Sequence, residues 1–237
     1  MSGIHGIEVV VFDVLGTLVD ESGGLRAAMR EAAPASGEAA VDEWVGLWQR
    51  HCEREQQRIR QGHRPYADTE VIDAEAARRV AERAGIDDPA AIDRLATAGQ
   101  RLPPWGDSVA GLGRLARRFP VVGLSNASST ALLRLNAHAG LRWHQALSAE
   151  AVRAYKPAPE VYRLAVDAAG CPPERVLMVA AHAWDLRGAR AVGLRTAYVH
   201  RPLGDPPTGS DDFDGQFDGL DRLVLALTAG QVASGSP

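Results

Sequence analysis

Four short stretches of this chain carry groups capable of chemistry at the ends of apolar runs. Asp13-Val14-Leu15-Gly16-Thr17 follows a row of valines, so a carboxylate stands where an apolar segment stops, with a glycine three residues on. That glycine lets the backbone turn tightly and present its amides to an anion, and a carboxylate so placed can attack an electrophile. Ser125-Asn126 ends the run Val121-Val122-Gly123-Leu124, adding a hydroxyl, an amide and a helix N-terminus suited to holding a substrate carboxylate. Lys156 precedes Pro157, whose ring fixes the local chain and helps aim an ammonium. His182-Ala183-Trp184-Asp185 supplies an imidazole, an indole and a second carboxylate after another apolar run. Taken singly, each has an ordinary explanation: Asp13 organises a turn, Ser125, Asn126 and Asp185 cap helices, Lys156 is a solvated surface group, His182 sits in a loop and Trp184 in a core.

The elements that must position these residues read as a parallel sheet. Ile7 to Val14 is a continuous, β-branched apolar run, the pattern of a strand buried on both faces. Val121 to Leu124, Val176 to Ala181 and Thr196 to Val199 each follow a helix-like segment, which predicts repeated αβ units and an α/β fold with a doubly wound parallel sheet. In such sheets ligands bind beyond the carboxyl ends of the strands, where all four polar stretches should converge. Residues 21–102 have a different texture: Trp44, Leu47 and Trp48 recur at helical spacing, Arg50 to Arg60 is highly charged, and no strand pattern occurs. We therefore expect a core domain of residues 1–20 and 103–227 and a helical cap inserted at 21–102, with Leu102-Pro103-Pro104 as the return hinge. Residues 228–237 are small and polar and are expected to fray.

Composition narrows the ligand. The 237 residues carry a formal charge of -4, which offers no field for a phosphate backbone, so a small solute is expected rather than nucleic acid. Cys52 and Cys171 are far apart and lack metal-ligand spacing, so buried thiols are expected. Neither an export leader nor a membrane-spanning apolar stretch is evident, and a cytoplasmic location follows as an expectation.

In order along the chain, Phe12-Asp13-x-x-Gly16-Thr17-Leu18, Leu124-Ser125-Asn126, Tyr155-Lys156-Pro157 with Tyr162, and Ala183-Trp184-Asp185 with Gly188-Ala189 resemble the four motifs of the haloacid dehalogenase superfamily. His182-Ala183-Trp184-Asp185 is similar to the Asn-Ala-Trp-Asp signature of its L-2-haloacid dehalogenase branch. The resemblance covers residues 5–20 and 103–225 and fits the 21–102 segment only loosely. Phosphatases of the superfamily carry a second aspartate two positions after the nucleophile, to protonate an alkoxide; here that position is Leu15. Halide is so weak a base that it leaves without a proton, and Leu15 suits that chemistry. Five residues before Asp185, where those phosphatases place another acid, stands Ala180, so Asp13 and Asp185 alone make a poor cage for a divalent ion.

The resemblance thus implies a metal-independent hydrolase without a cofactor, acting on a small 2-haloacid through a covalent aspartyl ester, and a possible homodimer. By the same analogy Asp13 is the nucleophile, Lys156 keeps it ionised, Thr17 supports its loop and Ser125 holds the substrate carboxylate. Asp185 positions or activates the hydrolytic water, Tyr162 supports Lys156, and Asn126 and Trp184 cradle the halide. Leu15 and His182 stand where the branch usually shows an aromatic residue and an asparagine, and both are expected at the pocket. Enzymes of the branch receive the halide on an arginine directly after a tryptophan of the first cap helix. Here Trp48 is followed by Gln49, with Arg50 a further ~100° around a helix. Two alternatives remain open at this point: a magnesium-dependent phosphate-monoester hydrolase, and a non-catalytic protein of the same fold.

Overall fold

Alternate residues of one valine-rich strand feed two separate cores. In the computed structural model, which describes residues 4–229, β1 (Val9–Phe12) is the fully buried central strand. Val10 and Phe12 pack on one face of the sheet with residues of α5 (Ser108–Leu115), α6 (Ser129–Ala139) and α9 (Leu220–Ala229). Val9 and Val11 pack on the other with α7 (Pro159–Ala169) and α8 (Ala183–Ala191). Successive side chains of a strand point to opposite faces, so an uninterrupted apolar run is what a strand covered on both sides requires.

The remaining strands are β2 (Val121–Ser125), β3 (Gln145–Ser148), β4 (Val176–Ala180), β5 (Arg195–Val199) and β6 (Gly215–Phe217). They pair in the order β3-β2-β1-β4-β5-β6, every pair parallel. The order reverses direction at β1, so the crevice above the ends of β1, β2 and β4 is the topological switch point. The sheet is the doubly wound one expected, with two differences. The first strand is shorter than the apolar run, because Val14 is buried in the turn rather than paired. The outer strands β3 and β6 escaped the hydrophobic pattern, being short edges with exposed positions.

Residues 21–101 hold no strand. Helices α1 (Glu21–Ala32), α2 (Glu38–Arg60), α3 (Thr69–Ala84) and α4 (Pro89–Ala96) share a third core around Leu25, Met29, Trp44, Trp48, Ala76 and Leu95. Asp20 starts α1 by accepting a hydrogen bond from Gly23 N–H, and Pro104 rejoins the chain against Val19. At the other end α9 runs through Thr228 and Ala229, so these two belong to a helix rather than to the expected tail, whose remaining residues 230–237 lie outside the described ones. Among the described residues no helix is long and apolar enough to cross a membrane.

Candidate active site

Asp13 is the first residue after β1, and its backbone N–H still bonds to Val179 O of β4, so the carboxyl is fixed to the central strands. Gly16, at φ +76°, turns the chain back, and the His182 ring lies so close that a Cβ on Gly16 would come 2.6 Å from its Cε1. Thr17 is buried; its hydroxyl donates to Asp13 Oδ2 at 2.7 Å and accepts from Ala181 N–H at 2.9 Å, tying the β1 and β4 loops together. Arg201 and Trp105 hold the same loop from outside by donating to the carbonyls of Thr17 and Gly16.

Lys156 is the centre of the site. Its ammonium donates to Asp13 Oδ1 at 2.9 Å and to Asp185 Oδ2 at 2.8 Å, while the side chain is 1% exposed. Burial alone drives a carboxyl up and an ammonium down. Around Asp13 that push is overcome by the Lys156 charge, then by His182 and Thr17, so its carboxyl lies well below the usual range. Burial likewise works against the Lys156 charge, but the two carboxylates outweigh it and hold the ammonium above its ordinary value. The product is a buried carboxylate that stays ionised at neutral pH.

Asp185 is fully buried, with Tyr162 Oη donating to Oδ1 at 2.7 Å and Lys156 occupying Oδ2. One expectation is corrected here: Tyr162 supports Lys156 only through Asp185, and neither Tyr162 nor Asp185 lines the cavity. Each Asp185 oxygen keeps a second lone pair, so these bonds leave the carboxylate able to accept from water. Gly188 explains how the tyrosine gets in: a Cβ there would meet Tyr162 Oη at 2.5 Å.

A cavity of about 520 Å³ opens over Asp13, within the size range of small-ligand sites. Its walls include Leu15, Ser125, Asn126, Lys156, His182 and Trp184, so most of the residues singled out in the sequence meet there. Ser125 is buried and its oxygen accepts from Ala127 N–H at 3.1 Å; Asn126 Oδ1 accepts from Lys156 N–H at 2.9 Å. His182 Nδ1 stands 3.3 Å from Asp13 Oδ2, its ring 5.9 Å from that of Trp184.

Helices α1, α2 and α3 close the cavity from above. Gln49 lines it and donates to Ser22 Oγ at 2.9 Å. Arg50, a step around the same helix, is exposed, lies alongside Gly46 and is absent from the wall, so it does not replace the missing arginine. Sequence reasoning missed Glu21, Cys52, Asp73 and Arg60, all of which line the cavity. The spacing 49, 52, 56, 60 along α2 is the signal that was there to find, since these positions share one helix face. Burial, reinforced by Glu21, pushes the Asp73 carboxyl up to about 8. Burial also raises Glu21, against the pull of His182.

The donor set does not suit a divalent cation. Leu15 and Ala180 offer no side-chain oxygen, and the Lys156 ammonium already bridges the two carboxylates. Among the described residues, no three His, Cys, Asp or Glu side chains are grouped to hold a metal ion.

A parallel α/β sheet with a lysine-paired aspartate at its switch point, under a helical cover, defines a class, and comparison with known proteins gives it a family. Residues 7–193 match the family model of haloacid dehalogenase-like hydrolases, and the chain belongs to that family. It is similar to (S)-2-haloacid dehalogenase H-109 of Pseudomonas putida, 32% identical over 212 residues that span 85% of this chain and 92% of the relative. The crystal structure of the L-2-haloacid dehalogenase PA0810 superposes with a TM-score of 0.85 at 31% identity, covering 94% of this chain and 99% of that one. The Xanthobacter autotrophicus L-2-haloacid dehalogenase with chloropropionic acid covalently bound superposes with a TM-score of 0.79 at 25% identity, covering 98% and 100%.

Proposed function

We propose that this chain hydrolyses the carbon–halogen bond of small 2-haloalkanoic acids through an ester on Asp13, without a metal ion. The observation that carries this is a carboxylate held ionised by Lys156 at the floor of a small cavity, with Leu15 where a leaving-group acid would otherwise stand. The relatives' names and the covalent chloropropionate complex support the same chemistry. An Asp13 oxygen attacks C2; the new C–O bond forms as the carbon–halogen bond breaks, and halide departs with the bonding electrons. No proton is needed for that departure. Ser125, whose oxygen accepts from Ala127 N–H and so leaves its hydroxyl proton free, binds the substrate carboxylate with backbone amides at the mouth of the cavity. Asn126, its oxygen held by Lys156 N–H, turns its amide nitrogen toward the halide beside Trp184. Water then adds to Asp13 Cγ and releases the 2-hydroxyacid. Residues 21–102 act as a cap that excludes bulk water during the first step. Homodimeric assembly enters on the resemblance alone, and cytoplasmic location only as the expectation drawn from the sequence.

Purified protein assayed with 2-chloropropionate, fluoroacetate and p-nitrophenyl phosphate, each with EDTA and with Mg²⁺, tests this. Halide release unchanged by EDTA is expected, and lost in Asp13→Asn. Magnesium-dependent phosphate release without halide release contradicts it.

A further inference from the structure

A 2-haloalkanoate is an anion, and the floor of the cavity offers it no cation to spare. The Lys156 ammonium is shared between Asp13 and Asp185, and His182 Nδ1 faces Asp13 as well. On the cap side the wall carries Glu21, Glu53 and Asp73. Burial pushes Asp73 up to about 8 and raises Glu21 too, which lessens their repulsion of an anion but attracts nothing. Arg60 breaks this pattern. Among the described residues it is the one arginine that lines the cavity, and it is exposed, so it faces solvent and pocket at once.

Its neighbours Arg54 and Arg58 on α2 both pair with Glu55, whereas Arg60 has no carboxylate partner among the described residues. Its Nη1 donates instead to the carbonyl oxygen of Lys156 at 3.4 Å, a long bond that leaves most of its N–H donors free. The N–H of Lys156 donates to Asn126 Oδ1, so the guanidinium stands one residue's backbone away from the Ser125-Asn126 corner of the cavity. Arg60 does not stand in for an arginine at position 49. From Gln49 to Arg60 the helix climbs about 16 Å and returns to the same face, too far for one side chain to do the work of the other.

Resting on the reading that the substrate is a 2-haloalkanoate, we infer that Arg60 determines specificity at the cavity mouth: its unpaired guanidinium draws the anion in from solvent and delivers the carboxylate to Ser125, and takes no part in breaking the carbon–halogen bond. Its charge is felt over about one Debye length, ~10 Å at 0.1 M salt, and farther within the partly dry cavity. The attraction is present before the transition state and is unchanged in it, so the effect falls on capture rather than on the reaction at C2.

Initial rates of halide release from 2-chloropropionate by wild type, Arg60→Gln, Arg60→Lys and Arg60→Glu, at ionic strengths from about 10 to about 300 mM, test this. At low ionic strength Arg60→Gln should lose roughly ten-fold in kcat/KM, carried by KM with kcat within about two-fold of wild type, and Arg60→Glu roughly a hundred-fold. Arg60→Lys keeps the charge and should recover most of the loss. Added salt should lower wild-type kcat/KM and lower that of Arg60→Gln much less, so that the two converge. A wild-type KM in Arg60→Gln overturns the inference, as does a lysine variant no better than the glutamine one. A loss confined to kcat also overturns it, because Arg60 would then act only as a support for the Lys156 backbone. Wild-type kcat/KM that ignores salt overturns it without any variant. Absence of halide release from wild type overturns instead the function on which the inference rests, and the inference with it.

Discussion

Replacing Lys156 by methionine keeps the volume of the side chain and removes its charge. Lys156 Nζ lies 2.9 Å from Asp13 Oδ1, with both groups buried. At an effective dielectric of about 20, that separation is worth about 6 kcal/mol, or roughly ten-thousand-fold in the protonation equilibrium of Asp13. Without the lysine the upward push of burial is opposed only by His182 and Thr17, and Asp185 becomes a second carboxylate competing for one proton. We expect kcat/KM for halide release at pH 7 to fall by roughly 10²- to 10⁴-fold and to recover as pH is raised. Stability should invert as well. In wild type the Asp13 carboxyl sits below its unfolded value, so its pairing stabilises the protein above the unfolded pKa and is lost as pH falls through the folded one. In Lys156→Met the folded carboxyl sits above the unfolded one, so the variant is most stable in acid and weakens as pH rises, by about 3–5 kcal/mol near neutrality. Halide release followed by ion chromatography from pH 5 to 10, with thermal melts at the same pH values, reads both effects. A variant that keeps a tenth of wild-type activity at pH 7, or follows the wild-type pH profile, refutes the electrostatic account of Lys156.

Gly16→Ala should cost about 1–3 kcal/mol in a thermal melt and most of the activity, because it strains a positive φ and drives a methyl into the His182 ring. Tyr162→Phe leaves Asp185 Oδ1 without its donor; we expect a loss of about 1–3 kcal/mol in stability and a fall in kcat at nearly constant KM, since the hydroxyl never meets the substrate.

The parts of this site legible in the sequence are those the sheet dictates. Asp13, Ser125, Lys156 and Asp185 each stand just beyond or between apolar runs, and a parallel sheet gathers such ends at one edge whatever lies between them. The helical phase of α2 likewise separates Gln49 from Arg50. Which donor meets which acceptor was not legible. Tyr162 could be assigned to Lys156 by analogy, but only the packing against Gly188 shows that its hydroxyl ends on Asp185. Glu21 was hidden for another reason: an acid in the first turn of a helix is an ordinary partner of the helix dipole, and its place in the cavity wall depends on how α1 packs over the sheet. The edge strands β3 and β6 carry too few buried apolar residues to stand out from loops.

The oxygen that ends in the product distinguishes an ester on Asp13 from direct attack by water. A single turnover of 2-chloropropionate with enzyme in excess, run in ¹⁸O-water, should place the label in the Asp13 peptide and leave the first equivalent of 2-hydroxyacid unlabelled, because water attacks Cγ rather than C2. Label in that first equivalent of product, with an unlabelled Asp13, contradicts the covalent mechanism.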